Sequence, residues 1–446
     1  MRLKADQISR AVCDILSVLN KNQIDDLARQ TKFIKRSGSK IKGFTFLLAL
    51  LGGLTSVAPS LECIGSQLRV RVSRQAIDQR FSRLAVSFLK GCLELLLQKI
   101  SSCGLDRCSN WSSFSRVLIC DSTHWQLKEG LARTFRGVGG AASKASCKLQ
   151  TIIEPLSGTL VHWRAMAGSL PDQCYTKKLA KLLKPRNLLL MDLGYYSVKA
   201  FKMIQRKRAF FITRIYSHAV VKTLTTKSVE TNVAGLLKTF SDPLVDLHVI
   251  IGAKHSMQLR LIAAKLFGEK AAAQRRRIKE NYRKQGKQAS QERLNCCDWT
   301  VLITNIEPSL FLAAKDILRL YGTRWQIEIF FRDAKSLLKI NVCRSAKKSR
   351  FECELLAILF LASLLFFLYG CFNNRARQKK HELSFDKIIK RFRELAALFI
   401  GLIVEQTQQA HTKAVSLLLR LVRNSLKFHQ PTRKTPRQNL ILCELA

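Results

Sequence analysis

Apolar and polar positions follow different rhythms in successive parts of this 446-residue chain. Up to about residue 110 the apolar residues recur at helical spacing. Ile8, Val12, Ile15 and Leu19 share one face, and Phe44 to Val57 reads as a second, more apolar helix. Between Ser60 and Ile100 a short helix is followed by the basic turn Arg69-Val70-Arg71-Val72, after which Ser73 caps one long helix. This is the outline of a helix-turn-helix, whose second helix offers Arg74, Gln75, Asp78 and Gln79 to base edges; a plain helical hairpin shares that outline.

From Arg116 the rhythm becomes that of strands. Val117 to Cys120 is an apolar run ending in Asp121, Leu149 to Glu154 and Gly158 to Ala165 read as neighbouring strands, and Leu188 to Met191 is a buried run ending in Asp192. A helix over Ser197 to Arg206 and a strand over Phe210 to Ile215 complete an α/β unit. A hairpin follows, Val245 to Ile251 and Met257 to Ala263, and then a very basic run from Lys265 through Arg275, Arg276 and Arg277 to Arg293. The strand Thr300 to Thr304 restores the α/β character and leads into a helical stretch from Leu310 to Leu338. The remainder is helical and basic, ending in a tail from His429 to Asn439 that reads as flexible. Three regions are expected: a helical N-terminal domain over 1–110, an α/β domain over 111–375 holding a β-rich basic insertion at 216–298, and a helical basic region over 376–446.

One segment tests this reading. Leu355 to Phe372 is nearly all apolar and reaches the length of a membrane span. It stands alone in a chain whose first residues carry no secretory signal, and Glu352 and Glu354 press against its start. A helix buried in a large core is the preferred reading, with no membrane partner and a place in the cytoplasm.

Charge changes the picture most. Lys and Arg number 76 against 31 Asp and Glu, a net charge of +45. So basic a chain requires a polyanion beside it, and nucleic acid is the commonest. The apolar share of 47% is ordinary, which excludes a disordered basic tail as the whole of the protein. The 14 cysteines show no Cys-x-x-Cys pair; Cys103 with Cys108, and Cys296 with Cys297, lack a second pair at ligand distance. The basic run around Arg275, Arg276 and Arg277 is therefore read as a phosphate-contacting face.

In an acid-poor chain, a carboxylate at the end of an apolar strand is costly unless a cation or a donor meets it. Asp121 and Asp192 are thus the first metal-ligand candidates, although Asp121 could instead serve only the turn Asp-Ser-Thr. Ser122 and Thr123 read as turn residues, and His124 as a hydrogen-bonded surface histidine. Farther on, Tyr321, Arg324, Glu328 and Lys335 stand at offsets 0, 3, 7 and 14. On one continuous helix they fall within an arc of about 60°, whereas Asp333 points elsewhere. Glu328 is the acid that joins the two aspartates.

These residues resemble a known family. Asp121 in ICDST, Asp192 in MDLGYY and the spaced Tyr321, Arg324, Glu328 and Lys335 are similar to the DDE transposases of bacterial insertion sequences, in the insertion sequence four family with its Tyr-Arg-Glu-Lys signature. The resemblance covers about residues 110 to 370. It implies an α/β fold with a ribonuclease-H-like catalytic core interrupted by the β-rich insertion, flanked by helical N-terminal and C-terminal regions. It implies that Asp121, Asp192 and Glu328 are catalytic and bind two Mg²⁺ ions, with Mn²⁺ able to substitute, and that Tyr321, Arg324 and Lys335 grip phosphate at the cleavage point. It also implies that Trp299 stacks on a base flipped from the DNA end; core packing is the other use of such a Trp. Leu193 stands where the family commonly has Arg.

The chemistry agrees with that resemblance. Phosphodiester cleavage needs an in-line nucleophile and a stabilised leaving oxygen, and two metal ions about 4 Å apart serve both. The expected activity is cut-and-paste transposition: cleavage at terminal inverted repeats, a hairpin intermediate, and strand transfer into target DNA. The partners are double-stranded DNA and a second copy of the chain in the DNA complex, close to the nucleoid. A nuclease of the same fold without strand transfer, or a non-enzymatic DNA-binding regulator, would share parts of this pattern.

Overall fold

The computed structural model describes residues 20–56, 59–68, 70–102, 113–139, 143–155, 159–224, 230–252, 256–284, 286–307, 312–378, 383–405 and 407–426. The expected helix over Ile8 to Leu19, the Cys103 and Cys108 pair and the basic tail from His429 lie outside the described residues. In chain order the helices are α1 (Lys21–Gln30), α2 (Gly43–Thr55), α3 (Leu61–Ser66), α4 (Arg74–Arg80), α5 (Arg83–Ser102), α6 (Gln173–Leu182), α7 (Val198–Arg206), α8 (Val233–Lys238), α9 (Glu269–Lys284), α10 (Gln291–Asn295), α11 (Ala314–Gly322), α12 (Trp325–Ser336), α13 (Lys348–Gln378), α14 (Phe385–Glu405) and α15 (Gln408–Arg423). The strands are β1 (Arg116–Gln126), β2 (Ser146–Glu154), β3 (Thr159–Ala167), β4 (Asn187–Met191), β5 (Phe210–Arg214), β6 (Val220–Thr223), β7 (Glu230–Asn232), β8 (Leu244–Ile251), β9 (Met257–Lys265) and β10 (Trp299–Thr304). They gather into two compact units. Described residues of 20–102, 123–169 and 328–426 form the first, and those of 113–122 and 170–327 form the second.

The first unit is mostly helical. Ser60 and Ser73 start α3 and α4 by accepting hydrogen bonds from the Cys63 and Ala76 amides, each at 3.1 Å. The single long helix expected after Ser73 is broken at Phe81. Ser82 accepts from the Ala85 amide at 3.3 Å and so starts α5 afresh. The break lets Phe81 turn inward, edge-on to Phe46, with the Arg350 guanidinium 5.5 Å above its ring. The candidate recognition helix is therefore only Arg74–Arg80. Arg74 and Gln75 remain exposed on it, but Asp78 is held by Lys347 and Arg350 at 3.3 and 3.5 Å.

The apolar run of the C-terminal half becomes α13, packed against α5, α2 and β3. Its segment Lys348–Gly370 is long and apolar enough to cross a membrane, yet 94% of that apolar window is buried inside the unit. Glu354, at 3% exposure, is held by Arg350 at 2.9 Å, and burial raises its carboxyl pKa. Phe366 continues the core by stacking on Phe385 and packing against Phe330. β2 and β3 pair antiparallel in the same unit.

The second unit is built on a mixed sheet in the order β1-β4-β5-β10-β9-β8-β6-β7. β1, β4 and β5 are parallel neighbours. β10 pairs antiparallel with both β5 and β9, so the strands of the 216–298 stretch extend the sheet past β10. β4 is buried along its whole length, as a parallel strand covered on both faces should be. Phe211 of β5 stacks on Phe201 of α7 at 4.4 Å. β1 is longer than expected: it runs through Asp121, Ser122, Thr123 and His124 to Gln126, so Asp121 lies within a strand and the Asp-Ser-Thr sequence makes no turn.

The hairpin β8–β9 carries one buried cation. Arg260 is 3% exposed, donates to both Asp246 oxygens at 2.8 and 2.6 Å, and to the Leu312 carbonyl at 3.0 Å. Removing one partner of such a pair strands the other charge. Asp246→Ala should cost about 3 kcal/mol in a denaturant unfolding experiment. Adding Arg260→Met to that variant should recover most of the loss.

Candidate active site

The sheet register places the two aspartates. Cys120 stands opposite Met191 as the last paired residues of β1 and β4, so Asp121 and Asp192 come next on adjacent parallel strands. Asp121 is held on both oxygens. The Ser122 amide donates to Oδ1 at 2.7 Å and the Arg324 guanidinium to Oδ2 at 2.9 Å. The two side chains of that ion pair are only 13% and 20% exposed. Asp192 stands just before the 3₁₀ turn Leu193–Tyr195 without capping it through its side chain, and among the described residues its buried Oδ1 has no hydrogen-bond donor. Arg324 thus spends its charge on a carboxylate here, an acidic partner that spacing alone did not suggest.

The signature does not lie on one continuous helix. α11 ends at Gly322, Thr323 caps it by donating its hydroxyl to the Leu320 carbonyl at 2.7 Å, and α12 begins at Trp325. Gly322 lies in open space, where a glycine weakens a helix by about 1 kcal/mol. Tyr321 therefore closes one helix, Arg324 sits in the joint, and Glu328 and Lys335 share a face of the next. The single-face arithmetic holds only for that last pair. Tyr321 is buried, its ring flanked by the guanidinium groups of Arg214 and Arg324 at 5.9 and 6.0 Å. Burial pushes its phenol up to about 12, and the hydroxyl has no hydrogen-bond partner among the described residues.

Glu328 and Lys335 belong to the first unit, in which Glu328 is the first residue of the C-terminal segment. Glu328 lies in the first turn of α12, where an acid is favoured by the helix dipole. Lys335 donates to the His124 carbonyl at 3.3 Å, and desolvation lowers its pKa. Asp333 is buried beside Arg332, with its carboxyl raised chiefly by desolvation. Among the described residues no three of His, Cys, Asp and Glu stand together as a metal-holding group. The donor chemistry of the two aspartates fits a hard divalent cation even so, since Asp192 Oδ1 is a buried acceptor lacking a partner.

Trp299 opens β10 and is 8% exposed, with Lys265 Nζ 5.8 Å above its ring. It borders a cavity of about 90 Å³, shared with Leu193, Arg214, Arg293, Cys296 and Thr300. Ordinary ligand pockets begin at roughly 300 Å³. On α9, Arg276 and Arg277 are exposed, while Arg275 is engaged by Asp298.

The transposase DDE domain family matches residues 112–365, more than half of the chain. The chain belongs to the DDE transposases. It is 28% identical to the transposase of insertion sequence element IS1151 from Clostridium perfringens, over 82% of each protein. It is 26% identical to that of IS231E from Bacillus thuringiensis, over 94% of this chain and 92% of the relative. A piggyBac transposase synaptic complex with hairpin DNA aligns with a TM-score of 0.44 and 11% identity, over 94% of this chain and 86% of that one. The transposase is accordingly an enzyme of DNA cleavage and strand transfer, from a family that generally uses divalent metal ions.

Two residues of this transposase site escape a reading of the sequence. Arg214 reaches the Tyr321 ring from the end of β5, and Asp172 receives the Ser122 hydroxyl at 2.8 Å. Arg214 could have been found as a cation ending an apolar strand, as the aspartates were. Tyr321 also yields a test. A buried hydroxyl without a partner stabilises nothing, so Tyr321→Phe should leave the melting temperature unchanged or slightly raised. If the hydroxyl donates to a phosphate oxygen, cleavage of a labelled element end should slow by roughly 10- to 100-fold.

Proposed function

We propose that this transposase cuts the ends of its element with Asp121, Asp192 and Glu328 as the catalytic acids, in a ribonuclease-H-like core that holds Mg²⁺ or Mn²⁺. The observation that supports this reading best is the register of β1 and β4, which sets two aspartates side by side with Arg324 and Tyr321 next to them. Bound divalent ions supply a lowered water pKa and charge stabilisation at the leaving oxygen. The residues of the chain do the rest. Arg324 presents a planar fork that matches phosphate as well as carboxylate, so it can leave Asp121 for the scissile phosphate. Tyr321 adds a neutral donor, and Lys335 a point charge on the Glu328 face.

Residues 1–110 serve in this reading as the end-binding domain, with Arg74 and Gln75 toward the bases, and 376–446 as a basic helical region. Between them the catalytic domain spans 111–375. Arg276 and Arg277 of α9 contact DNA backbone, with Arg275 joining them if Asp298 releases it. The enzyme acts as a homodimer on paired element ends, in the cytoplasm beside the nucleoid, and passes through a hairpin. For the hairpin, Trp299 receives a flipped base. The cavity beside it has to widen for that, and the flanking Arg214 and Arg293 suit a phosphate next to the base.

Asp121→Ala, Asp192→Ala and Glu328→Ala should each abolish nicking of a labelled inverted-repeat duplex in Mg²⁺, while gel-shift binding persists because phosphate contacts carry it. Wild-type nicking in any one of them removes that residue from the triad. Asp333→Asn, which preserves the shape of a buried side chain, should cut normally.

For Trp299, leucine is the better replacement, since it keeps the apolar packing. Trp299→Leu should spare the first nick and slow hairpin formation by roughly 5- to 150-fold, the equivalent of one lost stacked base. An abasic site at the flipped position should restore part of the rate. Loss of nicking together with a lower melting temperature would instead make Trp299 a core residue.

A further inference from the structure

Asp172 stands immediately before α6, at the position where an Asp ordinarily caps the first turn with its side chain. It makes no such cap. Its carboxylate reaches back to the site: Oδ1 receives the Ser122 hydroxyl at 2.8 Å. The amide of that same Ser122 holds Oδ1 of Asp121 at 2.7 Å. Ser122 is therefore fixed through its hydroxyl and fixes the neighbouring carboxylate through its amide. The other Asp172 oxygen lies against the loop that follows Asp192. A Cβ built on Gly194 would come to 3.2 Å from Oδ2, so this oxygen lies close against the Gly194 backbone. Cys120 of β1 and Tyr195 of the turn after Asp192 share a side-chain hydrogen bond, and the Asp172 charge acts on both.

We propose that Asp172 is a positioning residue of the cleavage reaction, clamping the Asp121 strand to the Asp192 loop through Ser122 and Gly194. The clamp is needed because β1 and β4 stop pairing at Cys120 and Met191. Beyond that point no ladder hydrogen bond between them keeps the two carboxylates at a fixed separation. Groups that orient a metal-binding carboxylate from behind are typically worth roughly 10- to 100-fold in metal affinity or rate. The proposal rests on Asp121 and Asp192 being catalytic acids, and it assigns Asp172 a role as hydrogen-bond acceptor for Ser122.

The test is a double-mutant cycle on the full-length protein. Asp172→Ala and Ser122→Ala should each slow nicking of an element end by roughly 10- to 100-fold, and the double variant should be no slower than either alone. Asp172→Asn keeps an acceptor oxygen for the Ser122 hydroxyl and should recover most of the rate. Mn²⁺ binding without DNA, followed by loss of the free-ion paramagnetic resonance signal, should weaken in Asp172→Ala and return in Asp172→Asn. Gel-shift affinity for the DNA end should stay constant throughout. Additive effects of the two alanines overturn the clamp, and so does an Asp172→Asn as defective as the alanine, because charge would then be the active property. If Asp172→Ala does not fold, Ser122→Ala carries the test, and wild-type nicking by that variant overturns the proposal. Asp121→Ala run alongside separates two failures. Its full activity would remove the assignment of the acids, whereas its inactivity beside a normal Asp172→Ala would remove only the role of Asp172.

Discussion

The parallel pairing of β1 with β4 is the constraint on which the proposed chemistry depends. Side chains alternate along a strand, and a slip of one residue would turn every one of them to the other face. With Cys120 opposite Met191, the next residue of each strand is an aspartate, both leaving the buried ladder at the same level. The interior of β4, Leu188 to Met191, is entirely apolar and buried on both faces, which holds the register without any help from the acids. The site can therefore be polar and under-satisfied, as the Asp192 Oδ1 and Tyr321 hydroxyl show, while the sheet behind it carries the stability. Functional sites often spend stability in this way.

Charge imposes the second constraint. An excess of 45 positive charges has to be tolerated by the folded chain before any DNA arrives. Part of it is absorbed internally: Arg324 on Asp121, Arg260 on Asp246, and Arg350 on Glu354 and Asp78. What remains outward includes Arg276 and Arg277, exposed on α9, while the exposed Arg74 of α4 pairs with the exposed Glu62 at 3.7 Å. In the proposed reaction Arg324 would belong to both groups in turn, because its fork suits a carboxylate and a phosphate.

Much of this was legible in the sequence because it depends on local patterns. The strand that ends before Asp192, the strand Thr300 to Thr304 and the buried apolar helix over Leu355 to Phe372 all follow from apolar runs and their punctuation, although the structure begins that last strand at Trp299 and that helix at Lys348. The readings that failed were those in which a residue's tertiary partner overrides its local preference. Phe81 breaks a helix because its ring is needed in the core, and Ser82 can restart the next. Gly322 and Thr323 break the signature helix, so the periodicity argument that placed Tyr321 and Arg324 on the Glu328 face did not survive. Asp121 looked like a turn residue because Asp-Ser-Thr favours turns, yet β1 continues through it. Asp172 carried no local signal at all: an Asp before a helix reads as a cap, and only the fold shows that its side chain is used elsewhere.

The interior position of α13 bears on how the chain is made. Its apolar stretch has the length and hydropathy that a translocation apparatus selects, and nothing in the stretch itself marks it as protein core. Most of the surface that covers it comes from α5, α2 and β3, which precede it in the chain, while α14 closes over Phe366 and Tyr369 afterwards. Synthesis runs from the N-terminus, so α5, α2 and β3 leave the ribosome before α13 does. Gene order thus gives the segment a protein neighbour at the moment it emerges, and the risk of misdirection to lipid is met by timing as well as by composition.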